Sequence, residues 1–209
     1  MILAVEPSLD VIGLLMKGGV VMLILALLSV AALILIVERM MFYSKNIKVS
    51  DERFKQVAKA IEANNASEVK TICQKSDDSW GRIFLFAAAA MESKEKNLDE
   101  VLEDAANIEV ARLEKGLSYL SMISGLAPLF GFIGTIIGVI TIFFDISVSK
   151  DISISVISEG LYKKMVLSAA GLVVGILAFA AYHLFENQVD KFVAKVQEHA
   201  LILKVSAKK

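Results

Sequence analysis

Apolar residues along this chain are concentrated in three uninterrupted stretches. They cover residues 18–37, 124–144 and 165–185, and none of the three contains Asp, Glu, Lys or Arg. At about 1.5 Å rise per residue, a helix of this length crosses the hydrocarbon layer of about 30 Å. Because lipid offers no partner to unpaired backbone groups, the pattern predicts three transmembrane helices.

The polar segments between and after these stretches also have helical periodicity. Apolar residues recur at three- and four-residue steps in 51–63, "NNAS" interrupts the pattern, and it resumes from residue 67. The tail after residue 185 has a similar stripe, which predicts an amphipathic helix continuing the third span. The residues that define these stripes are Phe54, Val57, Ala58 and Ile61, then Val69, Ile72 and Cys73, and in the tail Val189, Phe192, Val193 and Val196.

A charged run leads into the second span without a strong helix breaker. In "DEVLEDAANIEVARLEKGLSYL", Val101, Ala105, Ile108 and Leu113 recur at helical spacing, while Glu109 takes another position. We therefore expect a single long helix that extends the second span into an aqueous bundle. The fold class is all-α, a polytopic membrane protein whose long helices extend into a cytoplasmic helical bundle.

Composition excludes an ordinary soluble domain, since the 209 residues are 56% hydrophobic and only 22% charged. The first stretch is predicted to be an uncleaved helix rather than a signal peptide, because Glu6 and Asp10 precede it and the first sixteen residues contain no Lys or Arg.

Basic residues are concentrated in 39–115 and in the tail, whereas the loop segment 145–160 after the second span has only Lys150. The positive-inside rule then predicts a cytoplasmic long loop and C-terminus, with the N-terminus and the short loop in the periplasm. The predicted organisation is a periplasmic segment 1–17, span 18–37, cytoplasmic helical region 38–123, span 124–144, short periplasmic loop and helix start 145–164, span 165–185, and cytoplasmic C-terminal helix 186–209.

Candidate catalytic chemistry is sparse. Cys73 is the single cysteine and is expected to be a reduced thiol, and His183 is expected at the membrane interface beside aromatic residues. The spans offer no paired carboxylates, no His and Cys metal cluster and no serine with a general base. No enzyme, catalytic residue, metal, cofactor or nucleic-acid partner is predicted.

Small residues form a narrow face on the second and third spans. Two interpretations stay open: the face serves only for close helix packing, or it lines a central space where hydroxyls contact water, an ion or a partner's charge. Pro128 in the second span predicts a helix kink. The small faces comprise Gly131, Gly134, Thr135 and Gly138 in one span, and Ser168, Gly171 and Gly175 in the other.

The residue types at these positions resemble the sequence pattern of a known protein family. The segment "LAPLFGFIGTIIGVI" is similar to the second membrane helix of the MotA/TolQ/ExbB proton-channel family, and "GLYKKMVLSAAGLVV" is similar to its third. "VERMMF" at the end of the first span fits the family's usual Glu-Arg. The span count favours the ExbB/TolQ branch.

The resemblance implies a subunit of an inner-membrane motor driven by proton motive force. Family members form homo-oligomers of five copies around the single membrane helices of a dimeric ExbD/TolR-like partner. This partner carries an Asp in its membrane helix. Work passes to a TonB- or TolA-like protein that reaches the outer membrane, and the chain itself contacts membrane lipids.

Carried over by position, the family's pore threonines fall on Thr135 and Ser168, while Leu167 stands where many members have a second threonine. Lys163, followed by Lys164, replaces a Glu found in many members. Either the lysines snorkel to the interface, or one faces the pore and pairs with an acidic partner. The sequence does not decide whether the transported ion is H⁺ or Na⁺, or whether the chain has the ExbB or the TolQ role. A non-conducting oligomeric scaffold and a Na⁺-driven MotA-like stator subunit stay as alternatives.

Overall fold

The computed structural model describes residues 19–75, 77–93, 97–149 and 154–206. Within these ranges the regular secondary structure is entirely helical, which confirms the all-α fold class. The described helices are α1 Gly19–Asn46, α2 Asp51–Glu62, α3 Ala66–Gln74, α4 Ser79–Glu92, α5 Leu98–Glu114, α6 Leu117–Ser149 and α7 Ile154–Ser206.

Three of the described helices, α1, α6 and α7, contain stretches long and apolar enough to cross a membrane. Each of these helices contains most or all of one of the three apolar stretches, and α7 continues from the third stretch into the tail without a break over its 53 residues, as predicted. The membrane boundaries and the sidedness of each segment stay predictions. The segment 1–17 and residues 150–153 of the short loop lie outside the described residues.

The chain divides into two compact units. The first, here called the apolar unit, comprises the described residues of Met1–Leu35 and Tyr119–Ala181, and the second, the polar unit, comprises those of Ile36–Ser118 and Tyr182–Lys209. The three apolar stretches fall almost entirely in the apolar unit, whereas helices α2 to α5 lie in the polar unit.

Glycines allow α6 and α7 of the apolar unit to pack backbone against backbone. A Cβ added to Gly171 would lie 2.6 Å from the Ala127 carbonyl oxygen and 3.0 Å from the Cα of Gly131. Such separations are shorter than real Cβ contacts. The position therefore requires glycine, and the GxxxG spacing from Gly171 to Gly175 supplies two close contacts one turn apart.

Pro128 contributes to the same contact. Its ring removes the backbone N–H that would bond the Ser124 carbonyl one turn earlier. A Cβ on Gly175 would lie 2.5 Å from Cγ of Pro128 and 3.0 Å from that Ser124 oxygen, so glycine leaves room for both groups. Helix α6 continues through Pro128, and a kink at this residue stays a prediction.

The short helices of the polar unit begin where side chains cap their first turns. Ser50, Asn65 and Asp78 accept hydrogen bonds from backbone N–H groups three residues later, at the starts of α2, α3 and α4. The predicted stripes are largely confirmed. Their buried members are Phe54, Val57, Val69, Ile72, Cys73, Val189, Phe192 and Val196.

The predicted stripe on α5 is confirmed at Ala105 and Leu113, which are buried, and is wrong at Ile108. Ile108 is 58% exposed and Glu109 is buried, because the guanidinium of Arg82 donates to both Glu109 carboxylate oxygens at 3.0 and 2.9 Å. Arg82 also donates to the side-chain oxygen of Asn46 at 2.9 Å. Pairing makes burial of the carboxylate tolerable. The buried face of α5 is Leu102, Ala105, Glu109 and Leu113.

The single long helix expected from the charged run into the second span is also wrong. Helix α5 ends at Glu114 and α6 begins at Leu117, because Gly116 adopts φ +94°, a conformation that only glycine takes readily. Tyr43 supports this turn, since its hydroxyl donates to the carbonyl of Leu113 at 2.7 Å near the end of α5.

Replacing Gly171 with alanine is expected to separate α6 from α7. The added methyl group overlaps the Ala127 carbonyl, and overpacking of this kind typically destabilises a protein by about 1–3 kcal/mol. Gly125→Ala is the matched control, because nothing lies within 4 Å of a Cβ at that position on α6. Thermal unfolding followed by circular dichroism should show a lower midpoint for Gly171→Ala only, and equal midpoints for the two variants would contradict the packing account.

Gly116→Ala is expected to destabilise the turn between α5 and α6 by about 1–2 kcal/mol, since a residue with a Cβ is strained at this φ. Gly116→Asn is expected to retain more stability, because asparagine tolerates the left-handed region. The measurement is the thermal midpoint of each variant. If alanine and asparagine were equally tolerated, backbone conformation would not be the reason for glycine here.

Candidate functional site

The small-residue face of α6 is covered by α7 of the same chain. Gly131, Gly134 and Gly138 are all buried. A Cβ on Gly131 would lie 3.1 Å from the Cα and the carbonyl oxygen of Ser168, so the two backbones approach closely at that point. The glycine face therefore serves intrachain packing, which is one of the two interpretations that the spacing left open.

Thr135 lies beside this packed face and is partly exposed. Its hydroxyl donates to the carbonyl of Phe132 at 2.6 Å, one turn earlier. This back-bonding satisfies the donor inside an apolar helix and leaves the oxygen's lone pairs able to accept. Thr141, two turns further along α6, bonds in the same way to the carbonyl of Ile137 at 2.9 Å.

Ser168 and Leu167 occupy adjacent positions on α7 with different surroundings. Ser168 is half-buried, with its backbone against Gly131. Leu167 is fully buried, and its side chain fills the space that a Cβ on Gly134 would take, with Val21 of α1 also nearby. Leucine therefore replaces a hydroxyl with an apolar contact at the position where the family resemblance leads one to expect a threonine.

Lys164 lies across the last glycine of the face. A Cβ on Gly138 would overlap Cγ, Cδ and Cε of Lys164, so the glycine accommodates the aliphatic part of this half-buried side chain. A lysine stem on an apolar surface is typical of a residue that carries its ammonium towards water. The side chain of Lys163 lies outside the described residues, and its role stays a prediction.

The apolar stretches provide hydroxyl groups but no carboxylate. None of 18–37, 124–144 and 165–185 contains Asp or Glu. Among the described residues no group of His, Cys, Asp and Glu could hold a metal ion. Together, Thr135 and Ser168 can accept or donate hydrogen bonds to water, an ion or a partner side chain.

Cys73 and His183, the two residues set aside in the sequence, lie in different surroundings. Burial raises the pKa of the Cys73 thiol to about 11, so this cysteine is unreactive at neutral pH. The imidazole Nδ1 of His183 lies 2.9 Å from Oε2 of Glu186, one turn along α7.

The polar unit contains buried polar residues that sequence reasoning missed. His199 is 1% exposed and meets Trp80 and Phe54, and Arg82 is paired with Glu109. The sequence pattern could have indicated that His199 is buried, because His199 falls on the apolar stripe that runs through Phe192 and Val196. No sequence pattern marked the Arg82 pairing.

Comparison with known proteins places this architecture in a family. The sequence profile of the MotA/TolQ/ExbB proton channel family matches residues 76–198, which include both small-residue faces. A biopolymer transport protein, ExbB-like 1, of Synechocystis sp. is 28% identical over 195 residues, covering 90% of this chain and 76% of the relative.

Two further relatives are similar over most of this chain. The biopolymer transport protein exbB1 of Vibrio cholerae is 27% identical, covering 83% of this chain and 77% of its own length. An ExbB homolog of Methanothermobacter thermautotrophicus is 23% identical over 92% of this chain and 70% of the relative. With more than half of its length matched, including α6 and most of α7, this membrane protein belongs to the MotA/TolQ/ExbB proton channel family.

Proposed function

We propose that this chain is the ring-forming subunit of an inner-membrane motor driven by proton motive force. In this proposal several copies surround the single membrane helices of an ExbD/TolR-like partner, and ion flow is coupled to energy transfer towards the outer membrane. The observation that carries the proposal is the family match over residues 76–198, because it includes the hydroxyls of Thr135 and Ser168.

The lack of carboxylates in the apolar stretches supports a role for a partner. A proton crossing the membrane needs a titratable group at depth, and a hydroxyl does not titrate near neutral pH. We therefore assign the titrating Asp to the ExbD/TolR-like partner and assign Thr135 and Ser168 to the wall that it faces. A TonB- or TolA-like protein then receives the work.

Assembly into a ring is supported by the apolar surface that a single chain leaves uncovered. The exposed side chains on α6 include Phe132, Ile136, Ile140 and Phe143. Lipid tails and neighbouring copies can both cover such a surface, and the family resemblance favours five copies. The sidedness in this proposal is the predicted one, with a periplasmic N-terminus and a cytoplasmic C-terminus.

A non-conducting scaffold is the second candidate function. The adjacent lysines Lys163 and Lys164 motivate this candidate. The half-buried Lys164 side chain on Gly138 supports it, because a cation near an ion path repels protons and Na⁺. The packing of the glycine faces within one chain weakens it, since a face that is already covered cannot join separate copies. Conduction separates the two functions, and a Na⁺-driven stator role would show as flux of Na⁺ in place of H⁺.

Thr135→Ala is expected to reduce proton flux at least tenfold in liposomes that hold the chain with its single-span partner. The reason is loss of the hydroxyl beside the partner's acid, and a tenfold change corresponds to about 1.4 kcal/mol, within the range for a hydrogen bond to a charged group. Thr135→Ser should restore most of the flux.

Thr141→Ala is the matched control for this experiment, because Thr141 lies on the same helix with an equivalent back-bonded hydroxyl. It should leave flux close to that of the wild type. Equal effects of the two alanine substitutions, or no effect of Thr135→Ala, would remove Thr135 from the ion path.

The purified chain is expected to form a symmetric oligomer of five copies in mild detergent. The expected driving force is burial of the uncovered apolar side chains of α6 against neighbouring copies. Native mass spectrometry measures the copy number directly. Detection of monomers alone, in a sample whose helices remain folded by circular dichroism, would contradict the ring.

A further inference from the structure

His199 is a buried titratable residue near the end of α7 that the proposed ion path does not use. Its imidazole is stacked on the ring of Phe54, with centroids 3.8 Å apart and an angle of 3° between the planes. Trp80 meets the imidazole edge-on, and its indole Nε1 lies 3.0 Å from Nδ1 of His199. All three residues are buried in the polar unit, so His199 joins α7 to α2 and α4.

The contact with Trp80 fixes the protonation state of the imidazole. An indole N–H can only donate a hydrogen bond, so Nδ1 of His199 has to accept and cannot carry a proton. The proton of the neutral ring is then on Nε2, which lies 3.3 Å from Oδ1 of Asp51. Protonation of Nδ1 would place two N–H donors against each other and break the bond to Trp80.

The charged groups around His199 have opposing effects on protonation of its imidazole. The Asp51 carboxylate, at the start of α2, favours the imidazolium form. Lys195 opposes it, since its ammonium lies 3.0 Å from both Asp51 and Glu198 and offsets their charge. On the far side, the Arg53 guanidinium lies 4.9 Å from the Trp80 ring, and the buried Asp78 carboxylate, 2.7 Å from Arg53, offsets its charge.

We propose that the Trp80–His199 contact is a proton-sensitive switch, which holds the end of α7 to α2 and α4 while the imidazole is neutral and releases it when the imidazole is protonated. The device concerns the polar unit alone and does not rest on the proposed ion conduction. In the predicted orientation it responds to pH on the cytoplasmic side.

The direction of the pH effect follows from burial. Burial lowers the pKa of His199 below its usual 6.5, and the Asp51 hydrogen bond only partly opposes this shift. The unfolded or released form therefore binds a proton at a higher pH than the packed form does. The contact contributes its full stability above about pH 6.5 and loses it progressively as the pH falls towards the lowered pKa.

The chain contains one tryptophan and two histidines, which makes the switch directly observable. Tryptophan emission of the full chain in detergent is measured from about pH 8 down to about pH 5, a range that spans histidine titration and stays above most carboxylates. Loss of the contact changes the surroundings of the Trp80 indole, so its emission should change in a single transition with a midpoint below about pH 6.5.

Two variants identify the titrating group. His183→Gln is the matched control and should titrate as the wild type does, because His183 lies on the same helix and is exposed. His199→Gln should abolish the transition, since the glutamine oxygen accepts from Trp80 at every pH. A flat wild-type titration, or an unchanged transition in His199→Gln, would overturn the proposal.

Release of α7 is tested by a spin label on Leu201→Cys, an exposed position two residues after His199. The native Cys73 is buried and unreactive, so labelling is selective. Label mobility should increase between about pH 7.5 and about pH 5.5 in the otherwise wild-type chain and stay constant with His199→Gln added. Mobility that is independent of pH in both would contradict release.

A third measurement needs no substitution at His199 and covers the case in which His199→Gln does not fold. In protein labelled with ¹³C-histidine, the imidazole resonance that persists in His183→Gln belongs to His199. Its titration midpoint should lie below that of a free histidine, about 6.5. A midpoint at or above this value would overturn the proposal.

Discussion

Close contact between the backbones of α6 and α7 is the constraint on which the candidate ion path depends. Lipid tails are as apolar as leucine, so helices in a bilayer are not driven together by the hydrophobic effect and rely on dispersion and on close approach. Gly171 meets Ala127 and Gly131 at separations that exclude any Cβ, and Gly175 does the same against Pro128. These contacts fix the register between the helices that carry Thr135 and Ser168.

The same contact explains how two side chains of α7 fit against α6. Leu167 fits because Gly134 provides the space for its side chain, and Lys164 fits because Gly138 accommodates its aliphatic part. Gly134 and Gly138 of α6 thus each accommodate one larger side chain of α7. In the proposed function, Thr135 and Ser168 contribute hydroxyls to the wall of the ion path, and the titrating acid is assigned to a partner.

The polar unit is stabilised by a different interaction. Its helices bury apolar stripes as water-exposed helices do, and it adds buried polar pairs, with Glu109 held by Arg82 and His199 held by Trp80. Removing one partner from such a pair leaves an unsatisfied group in the interior, which is strongly destabilising. Buried polar pairs therefore make this unit specific in its packing and sensitive to protonation.

The sequence allowed prediction of what depends on local pattern. Three apolar stretches and the stripes of α2, α3 and the end of α7 follow from composition and period, and the structure confirms them as helices and buried faces. The buried face of α5 could not be predicted, because Glu109 is buried by an arginine 27 residues away in the chain. The break at Gly116 was missed since a single glycine within a helical pattern is often tolerated.

For the candidate site, the spacing identified the small residues but not the helix that covers them, because a glycine stripe fits a helix of the same chain and one of another copy equally well. The central claim concerns conduction, and it is tested most directly by comparing potential-driven proton uptake into liposomes that hold this chain alone, the ExbD/TolR-like partner alone, or both. We predict proton uptake only into liposomes that hold both proteins. Absence of proton and sodium uptake from an intact complex of the two would contradict it.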